Sequence, residues 1–154
     1  MRIRKSNLKD FKGVMRVVRK LHPKWFNKFA IQKAIPLDFK VHKGFVVEEK
    51  NKIVGFITYT SKEGQVKIGW IGVDPKYHRQ GIGTKLLKTL ERELKRIKIK
   101  DLRVETLAEP KNYKPYELTR AFYKKMDYKF EKIQKKRDED TGEELGLAIL
   151  VKKL

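Results

Sequence analysis

The stretch from Val66 to Leu94 constrains the fold more than any other. Val66-Lys67-Ile68-Gly69-Trp70-Ile71-Gly72-Val73 is apolar at most positions and bounded by turn signals, as in a buried strand. Asp74-Pro75 breaks it, because proline cannot donate to a sheet ladder and restricts the residue before it. Beyond Arg79-Gln80-Gly81-Ile82-Gly83-Thr84, the residues Ile82, Leu86, Leu87, Leu90, Leu94 and Ile97 recur at helical spacing with charged residues between them. The order is strand, short loop, glycine pair, amphipathic helix.

A helix start carries unpaired backbone N–H groups and the positive end of the macrodipole. Glycines let a phosphate approach that backbone without meeting a Cβ. Arg79, Lys76 and Lys85 add positive charge, and the Thr84 hydroxyl offers a further donor. Two glycines can equally do no more than shape a tight turn. A dinucleotide fingerprint would place a third glycine where Leu86 stands, and a P-loop needs Gly-Lys-Ser/Thr, whereas Thr84 here precedes Lys85.

His78-Arg79-Gln80-Gly81-Ile82-Gly83 resembles motif A of the GNAT superfamily of N-acetyltransferases, Arg/Gln-x-x-Gly-x-Gly/Ala, with His78 in place of the usual Arg or Gln. Thr119-Arg120-Ala121-Phe122-Tyr123-Lys124-Lys125-Met126-Asp127-Tyr128 is similar to the family's late segment Arg-Ala-Phe-Tyr-x-x-x-Gly-Phe. Asp127 takes the usual glycine position, and Tyr116 stands where many members carry Asn. The two motifs come in the family's order, separated by a matching crossover, and the order of elements resembles the family's arrangement over nearly the whole chain.

Around them the remaining elements are read from periodicity. Met1–Lys5 is a short strand, and Asn7 with Asp10 caps a helix whose inner face holds Leu8, Phe11, Val14, Met15, Val18 and Leu21. Trp25, Phe26, Phe29, Ile31, Ala34 and Ile35 suggest a second helix closed by Pro36, with the three aromatics as core or, alternatively, lining an acceptor pocket. Residues 45–49, 53–60 and 66–73 form an antiparallel meander, and 101–107 lies parallel to the last of these after the crossover. A loop over 110–115 leads to a helix over 116–126 with Leu118, Ala121, Phe122 and Met126 inward. Residues 128–133 and 145–151 pair as a hairpin around Asp140-Thr141-Gly142. The expected fold is α/β (α+β): one GNAT-like domain over 1–154, with a mainly antiparallel sheet of about seven strands and about four helices, ordered β-α-α-β-β-β-α-β-α-β-β.

Composition bounds the chemistry. The 154 residues include no cysteine, so disulfides, thiolate metal sites and a cysteine nucleophile are excluded. His22, His42 and His78 lack paired-ligand spacing, so no metal is expected. No apolar run reaches the roughly 20 residues of a membrane helix and no signal-peptide core is present, so a cytoplasmic protein without a membrane partner is expected. The net charge of +20 attracts polyanions, yet the basic residues are spread along the chain as on a solvated surface.

The resemblance implies acetyl-CoA as co-substrate and an amine acceptor whose identity it leaves open. It implies a cofactor site at Arg79, Gln80, Gly81, Ile82, Gly83 and Thr84 for the pyrophosphate. Unpaired backbone groups of Ile71, Gly72 and Val73 would meet the pantetheine arm, where the two parallel strands splay. Tyr123 would be the general acid and Glu105, on the strand flanking the gap, a general base. A basic nucleic-acid-binding module and a non-catalytic acyl-CoA sensor on the same fold are the alternative functions.

Overall fold

In the computed structural model, residues 1–108, 113–138 and 141–154 are described. Strands β1 (Arg2–Lys5), β2 (Lys43–Glu49), β3 (Lys52–Lys62), β4 (Gln65–Val73), β5 (Asp101–Leu107), β6 (Lys129–Arg137) and β7 (Glu144–Lys153) form one sheet. Its order is β1-β2-β3-β4-β5-β7-β6. Every pairing is antiparallel except β4 with β5. At the turns of the meander the backbone takes positive φ, favoured by Asn51 in the turn with Lys50 that joins β2 to β3 and by Gly64 in the turn with Glu63 that joins β3 to β4. Asp140, at the expected last turn, and the stretch from Pro110 to Asn112 lie outside the described residues.

Alternation along the strands divides the core in two. Phe45, Val47, Val54 and Ile57 face α3 (Ile82–Arg96) and α4 (Lys114–Lys125), joining Leu86, Leu90, Leu94 and Tyr123. Val46, Ile53 and Phe56 face the other way, toward α1 (Phe11–Lys20) and α2 (Ile35–Val41), joining Val14, Val18 and Phe39. The α1 entry is a capping box: the Asn7 side chain accepts from backbone N–H groups, and Asp10 reaches back to the Asn7 N–H at 2.9 Å. Leu8, expected on the inner face, sits in the preceding 3-10 turn and is exposed.

Three expectations are corrected. Pro36 does not close the second helix; α2 continues through it to Val41. A π turn over Ala30–Ala34, with the Ile35 N–H bonded to the Ala30 carbonyl, widens the backbone just before the proline. α3 ends at Arg96, leaving Ile97 half-exposed rather than in the core. On α4 the inward face is Pro115 and Tyr123 with Phe122 and Met126 partly covered, while Ala121 and Leu118 are exposed.

Candidate active site

The site begins as a defect in the sheet. β3 and β4 pair in register from Gly55↔Val73 to Ile57↔Ile71, then resume at Tyr59↔Ile68. Thr58 therefore opposes both Gly69 and Trp70, a β-bulge that bends β4. Beyond the bulge β4 leaves β5, and Lys67↔Arg103 is the one register pair between them. The result is a V-shaped gap between two parallel strands, open toward their C-terminal ends.

Side chains on the α1/α2 face hold the bulge. The Trp70 backbone N–H donates to Thr58 Oγ1 at 2.9 Å, and Thr58 Oγ1 lies 3.2 Å from His42 Nδ1. Burial lowers the His42 pKa, with Asp38 opposing and Lys67 reinforcing the shift. A neutral His42 can take the Thr58 hydroxyl proton on Nδ1, which completes a chain from amide to hydroxyl to imidazole. Trp70 Nε1 donates to Asp38 Oδ2 at 2.8 Å. A Cβ at position 69 would stand 2.6 Å from both His42 Nδ1 and Thr58 Oγ1, so only glycine fits there.

The ladder also decides which backbone groups reach the gap. The Asp74 N–H donates to the Val54 carbonyl at 2.8 Å. Hydrogen-bonded pairs alternate along an antiparallel ladder, so Gly72, two residues earlier, also spends its N–H and C=O on β3. This corrects the expectation that Gly72 offers unpaired groups. Its constraint is packing, since a Cβ would come within 2.7 Å of Phe56 and 2.8 Å of Leu21. Ile71 and Val73 turn the other way, into the gap. The Val73 carbonyl lies 2.7 Å from His78 Nε2, which must be the donor because a carbonyl only accepts. The gap is left with both N–H groups and the Ile71 carbonyl.

At its wide end the gap meets the start of α3. Gly81 is the N-cap in the left-handed conformation (φ 76°), and no side chain caps the helix. The first intrahelical bond runs from the Lys85 N–H to the Gly81 carbonyl at 3.0 Å, so the N–H groups of Ile82, Gly83 and Thr84 lack helical partners. A Cβ on Gly81 would meet nothing within 4 Å, and one on Gly83 would touch only the Phe122 ring. The approach to these amides is therefore open. Arg79, also at positive φ (63°), and Thr84 line the same cavity, while Gln80 is exposed and stands off it. His78, at the position of the motif's usual Arg or Gln, packs edge-on against Trp25 with ring centroids 5.2 Å apart.

Gap and helix start belong to one cavity of about 720 Å³, within the usual range for a ligand site. Tyr123 lines it while only 1 % exposed, its ring packed edge-on against Phe122 and Tyr128. Its hydroxyl has no hydrogen-bond partner among the described residues. Burial pushes its phenol well above the ordinary value. Glu105 lines the opposite wall, with Oε1 3.2 Å from Lys67 Nζ. Both ends of that pair are partly solvated, so it holds orientation more than stability. Trp25, Phe26 and Trp70 line the α1/α2 side, Phe26 meeting Trp70 edge-on at 5.6 Å. Trp25 and Phe26 thus serve as both core margin and cavity wall, the two roles the sequence left open for them. Tyr116 lines the cavity against Tyr113, whose hydroxyl donates to the Lys24 carbonyl at 2.7 Å.

Sequence reasoning missed Thr58, His42 and Trp70. Glycines inside the β4 pattern were the available signal, since an interior strand glycine marks a bulge or close approach.

Residues 40–130, more than half of the chain, match the model of the acetyltransferase (GNAT) domain. The chain belongs to the GNAT acetyltransferase family. The fold comparison agrees over the full length of this GNAT protein. The ribosomal-protein-S18-alanine N-acetyltransferase of Escherichia coli superposes with a TM-score of 0.76 at 19 % identity, covering 99 % of this chain and 92 % of that one. The ribosomal-protein-alanine N-acetyltransferase of Brucella melitensis gives 0.73 at 16 % identity, with 100 % of both chains covered. YncA of Salmonella typhimurium, solved with its cofactor acetyl-CoA, gives 0.70 at 16 % identity, covering 100 % and 94 %. No curated protein sequence matches the chain. These likenesses establish the GNAT fold; the acceptor is a separate question.

Proposed function

We propose that the chain is an acetyl-CoA-dependent N-acetyltransferase that moves an acetyl group to a primary amine by direct attack. The observation that carries this reading is the continuity of one cavity from the unpaired amides of Ile71 and Val73 to the uncapped amides of Ile82, Gly83 and Thr84. An extended arm with a pyrophosphate at one end matches that layout, and the arm can add to β4 as a further strand would. Arg79 supplies a cation at the phosphate end. Acetyl-CoA itself supplies the activated thioester.

Each step left to the protein has a candidate group. An Ile71 or Val73 N–H can donate to a carbonyl oxygen in the gap and stabilise charge developing there. Glu105 accepts a proton from the amine, directly or through water, with its carboxylate 3.2 Å from Lys67 Nζ. Tyr123 keeps its proton at all ordinary pH because of burial and presents it to the leaving sulfur. Holding both substrates in one cleft supplies much of the rate, with no covalent enzyme intermediate. The aromatic wall of Trp25, Phe26 and Trp70 would bound the acceptor. No described helix is long and apolar enough to cross a membrane, which is compatible with work in the cytoplasm.

The test is an acetyl-CoA-dependent screen of amines and peptides, including alanine-initiated peptides, with free thiol as readout. Amine-dependent thiol release is expected. Cofactor binding without turnover on every amine class would instead identify an acyl-CoA sensor.

A further inference from the structure

The core-facing residues of α3 include Leu86, Leu87, Leu90 and Leu94. The opposite face is of one kind. Between positions 85 and 100 every exposed residue is Lys or Arg except Ile97. Lys85, Lys88, Arg92 and Lys95 follow at helical steps, so they fall within an arc of about 80° at 100° per residue. From Lys85 to Lys95 the row runs about 15 Å at 1.5 Å per residue; Lys98 and Lys100 are exposed beyond the end of the helix.

The two acids of α3 leave this row uncompensated. Glu91 is 6 % exposed and is bound by Lys152 Nζ at 2.9 Å and the Tyr128 hydroxyl at 3.3 Å. Glu93 is taken by Arg96 at 2.9 Å and Lys5 at 3.7 Å. A face shaped only for solvation interleaves both signs. The final hairpin does so: Lys135 pairs with Glu144 across it, and Glu131 pairs with Arg103 of β5. Like charges three and four residues apart repel along a helix, so the α3 row persists against its own helix stability.

We propose that this face of α3 docks the phosphate backbone of double-helical RNA. A row of cations without exposed aromatic or amide side chains reads phosphates and not bases. Half of the helix is buried on the sheet, so it cannot enter a deep groove as a protruding recognition helix does. A-form RNA instead presents a wide, shallow minor groove between phosphate ridges, which a flush basic surface can lie against. The acetyl-transfer cleft opens at the N-terminal end of the same helix, beside RNA bound there.

The experiment uses the full chain without acetyl-CoA, so its outcome is independent of the acetyl-transfer reading. A fluorescein-labelled 20-base-pair RNA duplex of mixed sequence is titrated by anisotropy at several KCl concentrations. The triple variant Lys88→Gln, Arg92→Gln, Lys95→Gln should bind at least about tenfold more weakly at 100 mM KCl. Its slope of log K against log salt should shrink by about 2–3, at roughly 0.9 per lost phosphate contact. The control Lys129→Gln, Lys132→Gln, Lys136→Gln removes the same charge from β6 and should lose less than about threefold. If the first variant fails to fold, Arg92→Gln alone should reduce the slope by about 0.9. Equal losses in the two triple variants would reduce the effect to net charge and overturn the proposal. So would equal or tighter binding of the matching DNA duplex, or capture by phosphatidylserine vesicles that the RNA does not compete away.

Discussion

Replacing Tyr123 by phenylalanine removes one oxygen from the cavity wall and leaves the ring that α4 packs. The ring contacts with Phe122 and Tyr128, at 5.2 and 5.4 Å between centroids, need no hydroxyl. No hydrogen bond among the described residues is lost either, so the melting temperature and acetyl-CoA affinity should stay within error. The catalytic loss can be bounded from two sides. A hydrogen bond from the phenol to a developing thiolate is charge-assisted and worth about 1.5–3 kcal/mol, or roughly 10- to 150-fold. Full proton delivery by a positioned acid is worth about 10²–10⁴. Burial raises the Tyr123 pKa above its usual value, and so further above that of an ordinary thiol near 8.5. That order disfavours complete transfer and favours the overlap of the two ranges, a loss near 10²-fold in kcat. The same shift means that no loss of rate from tyrosine ionisation should appear up to about pH 10. The assay is steady-state thiol release on the acceptor found by the screen, from pH 6 to 10, with thermal melts with and without acetyl-CoA. Turnover at the parent rate would make Tyr123 a packing residue and assign the proton to water.

Three further outcomes follow from the same geometry. Thr58→Val keeps the shape but leaves the Trp70 N–H and His42 Nδ1 without their shared partner, so denaturant unfolding should show a loss of about 1–3 kcal/mol. Acetyl-CoA affinity should fall with it, and unchanged affinity would mean that the bulge does not depend on Thr58. Gly81→Glu has room for its side chain but adds a carboxylate at the uncapped helix start; the thermal shift given by acetyl-CoA should vanish, whereas Gly81→Asn, which tolerates positive φ, should keep most of it. Asp10 is held below the usual carboxylate range chiefly by its hydrogen bonds from Arg4, against the penalty of burial. A depressed folded-state pKa contributes stability above the unfolded value of 3.8 and loses it as pH falls through the folded value. Urea midpoints of the parent should therefore drop below about pH 4, and a similar drop in Arg4→Met would discount the pair.

Much of the architecture was legible in the chain because it depends on short-range periodicity. The turn-bounded apolar runs of β2, β3 and β4, the heptad-like leucines of α3 and the Asn7–Asp10 box each specify a local element whatever its neighbours do. The glycines after β4 likewise announced an uncapped helix start, since Gly81 needs its left-handed backbone wherever the helix packs. Pro36 shows where local reasoning ends: a proline stops an isolated helix, but the π turn before it lets the chain continue into α2. The strand gap was out of local reach for a similar reason. Whether Ile71, Gly72 or Val73 offers a free amide depends on ladder parity with β3, and that parity is reset by a bulge pinned through Thr58 to His42 of another strand connection. Only the folded sheet decides it, because hydrogen bonds between strands are long-range choices that no single segment encodes. The same holds for charge: composition counted the excess of Lys and Arg, but tertiary packing buried Glu91 against Lys152 and left the exposed face of α3 basic.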